Sequence, residues 1–157
     1  MIEYPKYKKV LFCTDFSENA DYAFEFACGI AKRDEGVLYI LHVIPENPHY
    51  AYAEDIVSTE NLEKIQKSIE EDLVNKCRER YECAEKIEGE IKFETVTRSG
   101  REDEEILEFA NKEKVDLIVI GTHGRTGIEH VLFGSVAERV SRHSRFPVFV
   151  IPSKKRA

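Results

Sequence analysis

Residues 116–121 read Asp-Leu-Ile-Val-Ile-Gly and indicate the fold class of this chain. Its four central residues are apolar, and so are six of the seven residues in Val-Leu-Tyr-Ile-Leu-His-Val at 37–43. A strand that is apolar on both faces is typical of a parallel sheet with helices on both sides, whereas a half-exposed strand alternates. The two runs therefore predict buried strands of an α/β protein.

Strand-like runs alternate with helical patterns along the chain. Strands separated by helices run parallel, and right-handed crossovers then place helices on both faces of one open sheet. In Ile91–Thr97 polar and apolar residues alternate, which predicts an edge strand with one wetter face. We therefore expect a Rossmann-like α/β fold, formed as a single domain from residues 1–157. The five predicted strands are Lys9–Thr14, Val37–Val43, Ile91–Thr97, Asp116–Gly121 and Pro147–Ile151.

The intervening helices are predicted from apolar residues that recur with helical spacing. Asp15 or Ser17 is placed to cap the first of them, which carries a stripe of small residues between Ala20 and Ala31. The acidic run Glu102–Glu105 opens the third helix, where negative charge favours the positive end of the helix dipole, and we interpret it as a solvated face. A long charged helix after residue 58 has one apolar stripe, which we interpret as core: Leu62, Ile65, Ile69, Leu73 and Cys77.

The charge of the chain argues against a polyanionic partner. Lysine and arginine total 23 against 30 aspartate and glutamate residues, so the formal net charge is −7. A surface of that sign repels nucleic acid. The longest apolar stretches are far shorter than the roughly 20 residues that span a membrane, and Asp15 interrupts the apolar run that a signal peptide would need. We expect a cytoplasmic protein that binds neither nucleic acid nor membrane.

The cysteines Cys13, Cys28, Cys77 and Cys83 show no CxxC or zinc-ligand spacing. In a reducing compartment such residues pack as small apolar side chains, which is our preferred interpretation. Because Cys13 lies near the end of the first predicted strand, a flavin or redox protein stays open as a weaker alternative. No nucleophile elbow, HExxH motif or histidine–cysteine metal pattern occurs, so the sequence favours binding over catalysis.

A glycine-rich segment follows the strand at residues 116–121. Ligands of open α/β sheets bind at the carboxyl ends of the strands, and glycines let the backbone turn through positive φ and approach a ligand. Gly134 and Ser135 then begin the fourth helix, whose first N–H groups suit a di- or triphosphate, with Arg125 nearby as a mobile cation. The alternative is a surface loop in which the glycines serve only for turning. Neither a P-loop nor a GxGxxG motif occurs.

The spacing Gly121-x2-Gly124-x9-Gly134-Ser135 resembles the ATP-binding signature of the universal stress protein family. Other segments agree, and the likeness runs from about residue 6 to residue 152. The resemblance implies a five-stranded parallel sheet in the order 3-2-1-4-5. Many members of the family have proline where this chain has Cys13 and Glu102; the first change alters the mouth of the site, and we expect the second to be harmless. The agreeing segments include Thr14–Glu18, Leu41–Ile44, Val115–Gly124 and Pro147–Ile151.

The resemblance also implies a nucleotide site. Asp15 meets the ribose or phosphate side of ATP, the backbone at Val43 meets the adenine edge, and Gly121 lines the ribose. A divalent ion, Mg²⁺ or Mn²⁺, accompanies the phosphates. Thr14 precedes Asp15 and is counted with the site, as is His123, which lies in the glycine loop within reach of phosphate or ribose. The residues implied to hold the phosphates are Gly124, Arg125, Gly134, Ser135 and Val136.

Two functions are compatible with these observations. The first is an ATP-binding universal stress protein that acts as a nucleotide-dependent sensor or regulator, with at most slow ATP hydrolysis. The alternative is a dimeric interaction protein of the same fold that needs no nucleotide. An apolar last strand at a sheet edge requires a cover, and a second copy of Val148–Ile151 across a two-fold axis provides one. The resemblance also implies such a homodimer.

Overall fold

The structure, a computed structural model, describes residues 1–46, 59–82, 90–123 and 133–154. These residues form one α/β domain in which five parallel strands lie in the order β3-β2-β1-β4-β5. The predicted fold class and the strand order implied by the resemblance are both confirmed. No helix in the described ranges is long and apolar enough to cross a bilayer. The strands are β1 (Lys9–Thr14), β2 (Val37–Pro45), β3 (Lys92–Gly100), β4 (Leu117–Gly121) and β5 (Val148–Ile151), and the helices are α1 (Glu18–Arg33), α2 (Thr59–Tyr81), α3 (Glu102–Glu113) and α4 (Ser135–His143).

The central strand β1 shows how the helices cover the sheet. Successive side chains of a strand point to opposite faces, so Val10 and Phe12 pack with α1 and α2, whereas Leu11 packs with α3 and α4. All three side chains are fully buried. Helices therefore cover both faces, as the continuous apolar runs predicted.

Strands β2 and β3 are longer than the sequence pattern predicted. β2 extends to Pro45 rather than Val43, and β3 extends to Gly100 rather than Thr97. The parallel pairing reaches Pro45 and Gly100, and the N–H of Glu46 still donates to the carbonyl of Gly100. The ladder continues because it depends on backbone groups and not on side-chain polarity. β3 lies at the sheet edge, as its alternation predicted.

The apolar stripe of α2 is only partly core. The C-terminal part of the helix packs on the sheet, and Cys77 is fully buried. Ile65 and Ile69 are 51% and 37% exposed, so the prediction of a continuous core stripe is wrong for these residues. Lys76 already lies over the ring of Phe16, just beyond the end of β1. We infer that the earlier turns of α2, which carry Ile65 and Ile69, extend past the carboxyl edge of the sheet.

The acidic run that opens α3 is not uniformly solvated. Asp103 is only 6% exposed, and it accepts a hydrogen bond of 3.0 Å from Nε of Arg101 while Arg139 of α4 lies 4.0 Å away. The prediction of a solvated face is therefore wrong at this residue, because two arginines compensate the buried charge. The apolar face of α3 is the one predicted, with Ile106 and Phe109 in the core.

Burial governs the chemistry of the cysteines. Cys13, Cys28 and Cys77 are free thiols. Burial raises the pKa of Cys28 and of Cys77 to about 12, and it raises the pKa of Cys13 as well. The three thiols are therefore protonated near neutral pH, which favours their interpretation as small packing residues. Cys83 lies outside the described residues.

Candidate functional site

The predicted ligand crevice lies where the strand order reverses. β2 and β3 lie on one side of β1, and β4 and β5 lie on the other. Phe12 pairs with Val119, so Thr14 and Gly121, two residues further along each strand, stand level at the carboxyl ends of β1 and β4. The helices that follow these two strands pack on opposite faces of the sheet. Such a divergence opens a crevice between the two strand ends.

A tight turn connects β1 to α1 and fixes Asp15. The Asp15 carboxylate accepts a hydrogen bond of 3.0 Å from the N–H of Ser17, and the Ser17 hydroxyl caps α1 by accepting from the N–H of Ala20 at 3.1 Å. Between them, Phe16 has a φ of 63°, a left-handed conformation that residues other than glycine rarely adopt. Asp15 is thus held half-buried beside the crevice.

The polar atoms of Thr14 are engaged by the protein itself. Thr14 is buried, and its hydroxyl accepts from the N–H of Phe16 at 3.0 Å and hydrogen-bonds the hydroxyl of Tyr81. Its carbonyl accepts a hydrogen bond of 2.8 Å from Nδ1 of His42. These contacts make Thr14 a fixed part of the crevice wall.

Glycines on the β4 side allow backbone segments to approach closely. A Cβ at Gly121 would stand 3.3 Å from the carbonyl oxygen of Asn19, and a Cβ at Gly134 would stand 2.8 Å from that of Thr122. The Asn19 amide donates to the carbonyl of His123 at 3.1 Å, and the N–H of Gly134 donates to the carbonyl of Thr122. Nδ1 of His123 hydrogen-bonds the Thr122 hydroxyl at 2.9 Å. Because Gly134 has a φ of −69°, space rather than a left-handed backbone requires glycine there.

The N-terminus of α4 lies beside the end of β4. Gly134 is its N-cap, and no side chain in the described part of the chain caps the helix. The first N–H groups of a helix, here those of Ser135 and Val136, have no intrahelical partner and lie at the positive end of the helix dipole. Ser135 is exposed, so its hydroxyl is open to an anion together with these backbone donors.

Of the three remaining predicted site residues, the structure describes only Val43. Val43 is buried in β2 and lies one residue beyond His42, the partner of Thr14. Its backbone therefore reaches the carboxyl edge of the sheet. Gly124 and Arg125 lie outside the described residues.

Glu102 adds an acidic group near the crevice. It is the first residue of α3 and is half-buried. Burial raises the pKa of its carboxyl, and the charges of Asp15 and Asp103 raise it further. Glu102 therefore places a second carboxyl within electrostatic reach of Asp15, and that this departure from the family is harmless stays a prediction. Across the described ranges, no group of three or more His, Cys, Asp or Glu side chains is arranged to hold a metal ion.

Sequence reasoning missed Asn19, Arg80 and Tyr81, which all bond to segments that line the crevice. Tyr81 had a usable signal, because it continues the i, i+4 spacing of Cys77 and so belongs to the buried face of α2. Asn19 and Arg80 had none, since their partners lie 104 and 64 positions away in the sequence.

Comparison with known sequences gives a match over nearly the whole chain. The model of the universal stress protein family matches residues 6–152. Universal stress protein MJ0531 of Methanocaldococcus jannaschii is 35% identical over 150 residues, which cover 96% of this chain and 85% of that protein. Universal stress protein MJ0577 of the same organism is 34% identical over 158 residues, which cover 94% of this chain and 96% of that protein.

Solved structures share the fold. The structure of MJ0577 superimposes with a TM-score of 0.74 and 31% identity, covering 96% of this chain and 99% of that one. A universal stress protein crystallised in complex with cAMP superimposes with a TM-score of 0.63 and 23% identity, covering 94% and 98%. The second likeness shows a common fold.

Proposed function

Because this chain belongs to the universal stress protein family, we propose that it binds ATP at the carboxyl edge of its sheet and acts as a nucleotide-dependent stress sensor or regulator. One observation carries the proposal: the close approach of Gly134 to Thr122 seats the start of α4 at the end of β4. This arrangement puts the first N–H groups of α4 on one side of the crevice and the Asp15 carboxylate on the other.

The phosphates are assigned to the β4 side. The N–H groups of Ser135 and Val136, the Ser135 hydroxyl and the positive end of the α4 dipole all favour an anion. Arg125 supplies a positive charge from the same segment in the sequence. Residues 121–157 hold seven basic and two acidic side chains. A compact anion therefore suits this part of a chain whose overall charge of −7 disfavours an extended polyanion.

The nucleoside is assigned to the β1 and β2 side. The Asp15 carboxylate accepts hydrogen bonds from ribose hydroxyls, and the backbone at Val43 reads the adenine edge. A family member has been crystallised with cAMP, an adenine nucleotide, which supports an adenine nucleotide as the ligand.

A divalent ion fits the same arrangement. Mg²⁺ is commonly bound through one or two carboxylates together with substrate phosphates, and Asp15 supplies a hard oxygen ligand of that type. Mg²⁺ or Mn²⁺ would neutralise part of the triphosphate charge there. We place the protein in the cytoplasm and treat it as a binding protein in which ATP hydrolysis is at most slow.

The proposal is tested by identifying the small molecule that the purified protein carries. Acid-released material from the wild type is analysed by mass spectrometry beside that from Gly134→Asp, in which a carboxylate meets the phosphates. ATP or ADP in the wild type and none in the variant is the expected result. A flavin would instead support the redox alternative. A wild type that carries no nucleotide and takes none up on dialysis against Mg-ATP contradicts the proposal.

A second candidate function rests on the edge strand β5. Phe149 at its centre is 39% exposed, and the flanking Val148 and Val150 are half-buried. An apolar edge strand is a template for pairing, so we propose a homodimer in which Val148–Ile151 pairs with its copy across a two-fold axis. Such a dimer serves as an interaction protein with or without nucleotide.

Light scattering at micromolar concentration tests the dimer. The wild type is expected at twice the monomer mass, and Phe149→Glu at the monomer mass. Ile65→Glu, which changes an exposed apolar residue of α2, is the matched control and is expected to stay dimeric. A monomeric wild type contradicts this second function and leaves the nucleotide proposal standing.

A further inference from the structure

Two residues at the end of α2 reach the turn that carries Asp15. Arg80 donates to the carbonyl of Phe16 at 3.0 Å and, through Nε, to the Asp21 carboxylate at 2.8 Å. Tyr81 is only 2% exposed, and its hydroxyl bonds to both Thr14 and Asp21. A helix from a distant part of the chain therefore fastens both the end of β1 and the turn that follows it.

The hydrogen bonds among these groups can run in only one direction. The Asp21 carboxylate, bonded to the Arg80 guanidinium, can only accept, so the Tyr81 hydroxyl donates to it at 3.0 Å. Having given its single proton, the Tyr81 oxygen accepts from the Thr14 hydroxyl, which in turn accepts from the N–H of Phe16 at 3.0 Å. Burial raises the pKa of Tyr81, which keeps its proton in place. The series begins in the turn after β1 and ends on the charge of Asp21.

This series stabilises a strained residue. Left-handed backbone at a residue other than glycine costs on the order of 1–3 kcal/mol, and it persists only where the surroundings impose it. The surroundings of Phe16 do so: its ring centroid lies 4.5 Å from that of His42, and Nζ of Lys76 lies 4.3 Å from its ring centroid. Its N–H and its carbonyl are bound by Thr14 and Arg80.

We propose that Arg80 and Tyr81 are positioning residues for the nucleotide site. They lock the left-handed turn at Phe16, and the turn fixes the direction in which the preceding Asp15 carboxylate meets the nucleotide. The inference rests on the proposed ATP binding, which it deepens by naming residues outside the ligand contacts that determine affinity.

Tyr81→Phe tests the inference with little disturbance of packing, because the ring stays and only the hydroxyl is lost. Calorimetric titration with Mg-ATP is expected to show a Kd raised about three- to tenfold, the range of one hydrogen bond. Arg80→Gln is expected to raise Kd at least as much. Arg78→Gln is the matched control, since Arg78 is exposed two residues earlier in α2, and its Kd is expected to equal that of the wild type.

A double-mutant cycle with Asp15→Asn separates positioning from stability. If Tyr81 acts through the Asp15 carboxylate, Tyr81→Phe raises Kd in the wild-type background and has no further effect in Asp15→Asn. A lower thermal midpoint with an unchanged Kd shows a merely structural role and overturns the inference. An equal rise of Kd in both backgrounds overturns it too.

The titrations distinguish a failure of ATP binding from a failure of the positioning role. A wild type that does not bind Mg-ATP contradicts the proposed function and overturns this inference with it. A wild type that binds, beside a Tyr81→Phe variant of equal Kd, overturns the inference alone. If Arg80→Gln does not fold, the double-mutant cycle with Tyr81→Phe is sufficient to test the inference. The ring at position 81 is kept in that variant and still contacts Phe12.

Discussion

The side-chain amide of Asn19 donates to the carbonyl oxygen of His123 at 3.1 Å. This bond joins the first turn of α1 to the segment after β4, across the crevice at which the strand order reverses. Gly121 makes the contact possible, because a Cβ there would stand 3.3 Å from the Asn19 carbonyl oxygen. The two walls of the crevice are therefore held at a set distance by one polar side chain and one missing methyl group.

Replacement of Asn19 tests this bridge. Asn19→Ala is expected to lower the free energy of unfolding by about 1 kcal/mol, the usual net value of one hydrogen bond, and to weaken Mg-ATP binding because the crevice walls separate. Urea denaturation and calorimetric titration measure the two effects. Asn75→Ala, at an exposed position of α2, is the control. If Asn19→Ala and Asn75→Ala have equal free energies of unfolding and equal Kd values for Mg-ATP, the bond from Asn19 to His123 contributes to neither.

Substitution of Gly134 tests whether there is room for a side chain at this position. A methyl group at this position would stand 2.8 Å from the carbonyl oxygen of Thr122, so Gly134→Ala is expected to lower the free energy of unfolding by about 1–3 kcal/mol. In Gly29→Ala the new methyl group meets nothing within 4 Å. Because Gly29 lies within α1, that variant is expected to gain about 0.5–1 kcal/mol. Opposite signs in urea denaturation support the packing described, and a stabilised Gly134→Ala would refute it.

The carboxyl group of Asp34 is expected to make the free energy of unfolding depend on pH. Its carboxylate accepts hydrogen bonds from Arg33 at 2.8 Å and from the N–H of Tyr7 at 2.7 Å, and these bonds lower its pKa to about 2. The folded pKa lies below the unfolded value of about 3.9. The stabilisation is therefore present above about pH 4 and is lost as pH falls toward 2.

A pH series of urea denaturations checks this dependence. Asp34→Asn is expected to be less stable than the wild type at pH 6, with the difference shrinking as pH falls from about 4 to 2. Glu25→Gln, an exposed change on α1, is the control and should track the wild type. A difference between Asp34→Asn and the wild type that stays constant down to pH 2 would mean that the carboxylate is not what stabilises this corner.

The thiols of Cys13 and Cys77, which are buried, and of Cys28, which is half-buried, are expected to react slowly. Because burial raises the pKa of Cys28 and Cys77 to about 12, and that of Cys13 too, these residues hold almost no thiolate at pH 8. A disulfide reagent such as DTNB is expected to modify them slowly in the native protein and at once in urea. Rapid native modification of Cys13, located by peptide mapping, would revive the redox alternative.

The fold could be predicted from the sequence because a strand that is buried on both faces has apolar residues at successive positions. The continuous apolar runs in β2 and β4 predicted a covered parallel sheet, and the alternation in β3 predicted its place at an edge. Gly121 and Gly134 were singled out by their spacing, and the structure adds the reason: each would press on a carbonyl oxygen if it carried a Cβ.

Contacts between residues that are distant in the sequence could not be predicted from it. Asp103 is buried because Arg101 and Arg139 compensate its charge, and an acidic run by itself predicts a solvated face. The exposure of Ile65 depends on where α2 passes the edge of the sheet, which periodicity does not contain. The contact of Arg80 with Phe16 depends on the same placement of the helix.

Calorimetric titration of nucleotide-stripped protein with Mg-ATP shows whether the crevice is a nucleotide site. We expect saturable binding of one nucleotide per chain, lost in Gly134→Asp and retained in Gly29→Ala. A wild type that gives no heat of binding at high Mg-ATP concentration, or a Gly134→Asp variant with unchanged affinity, would contradict it.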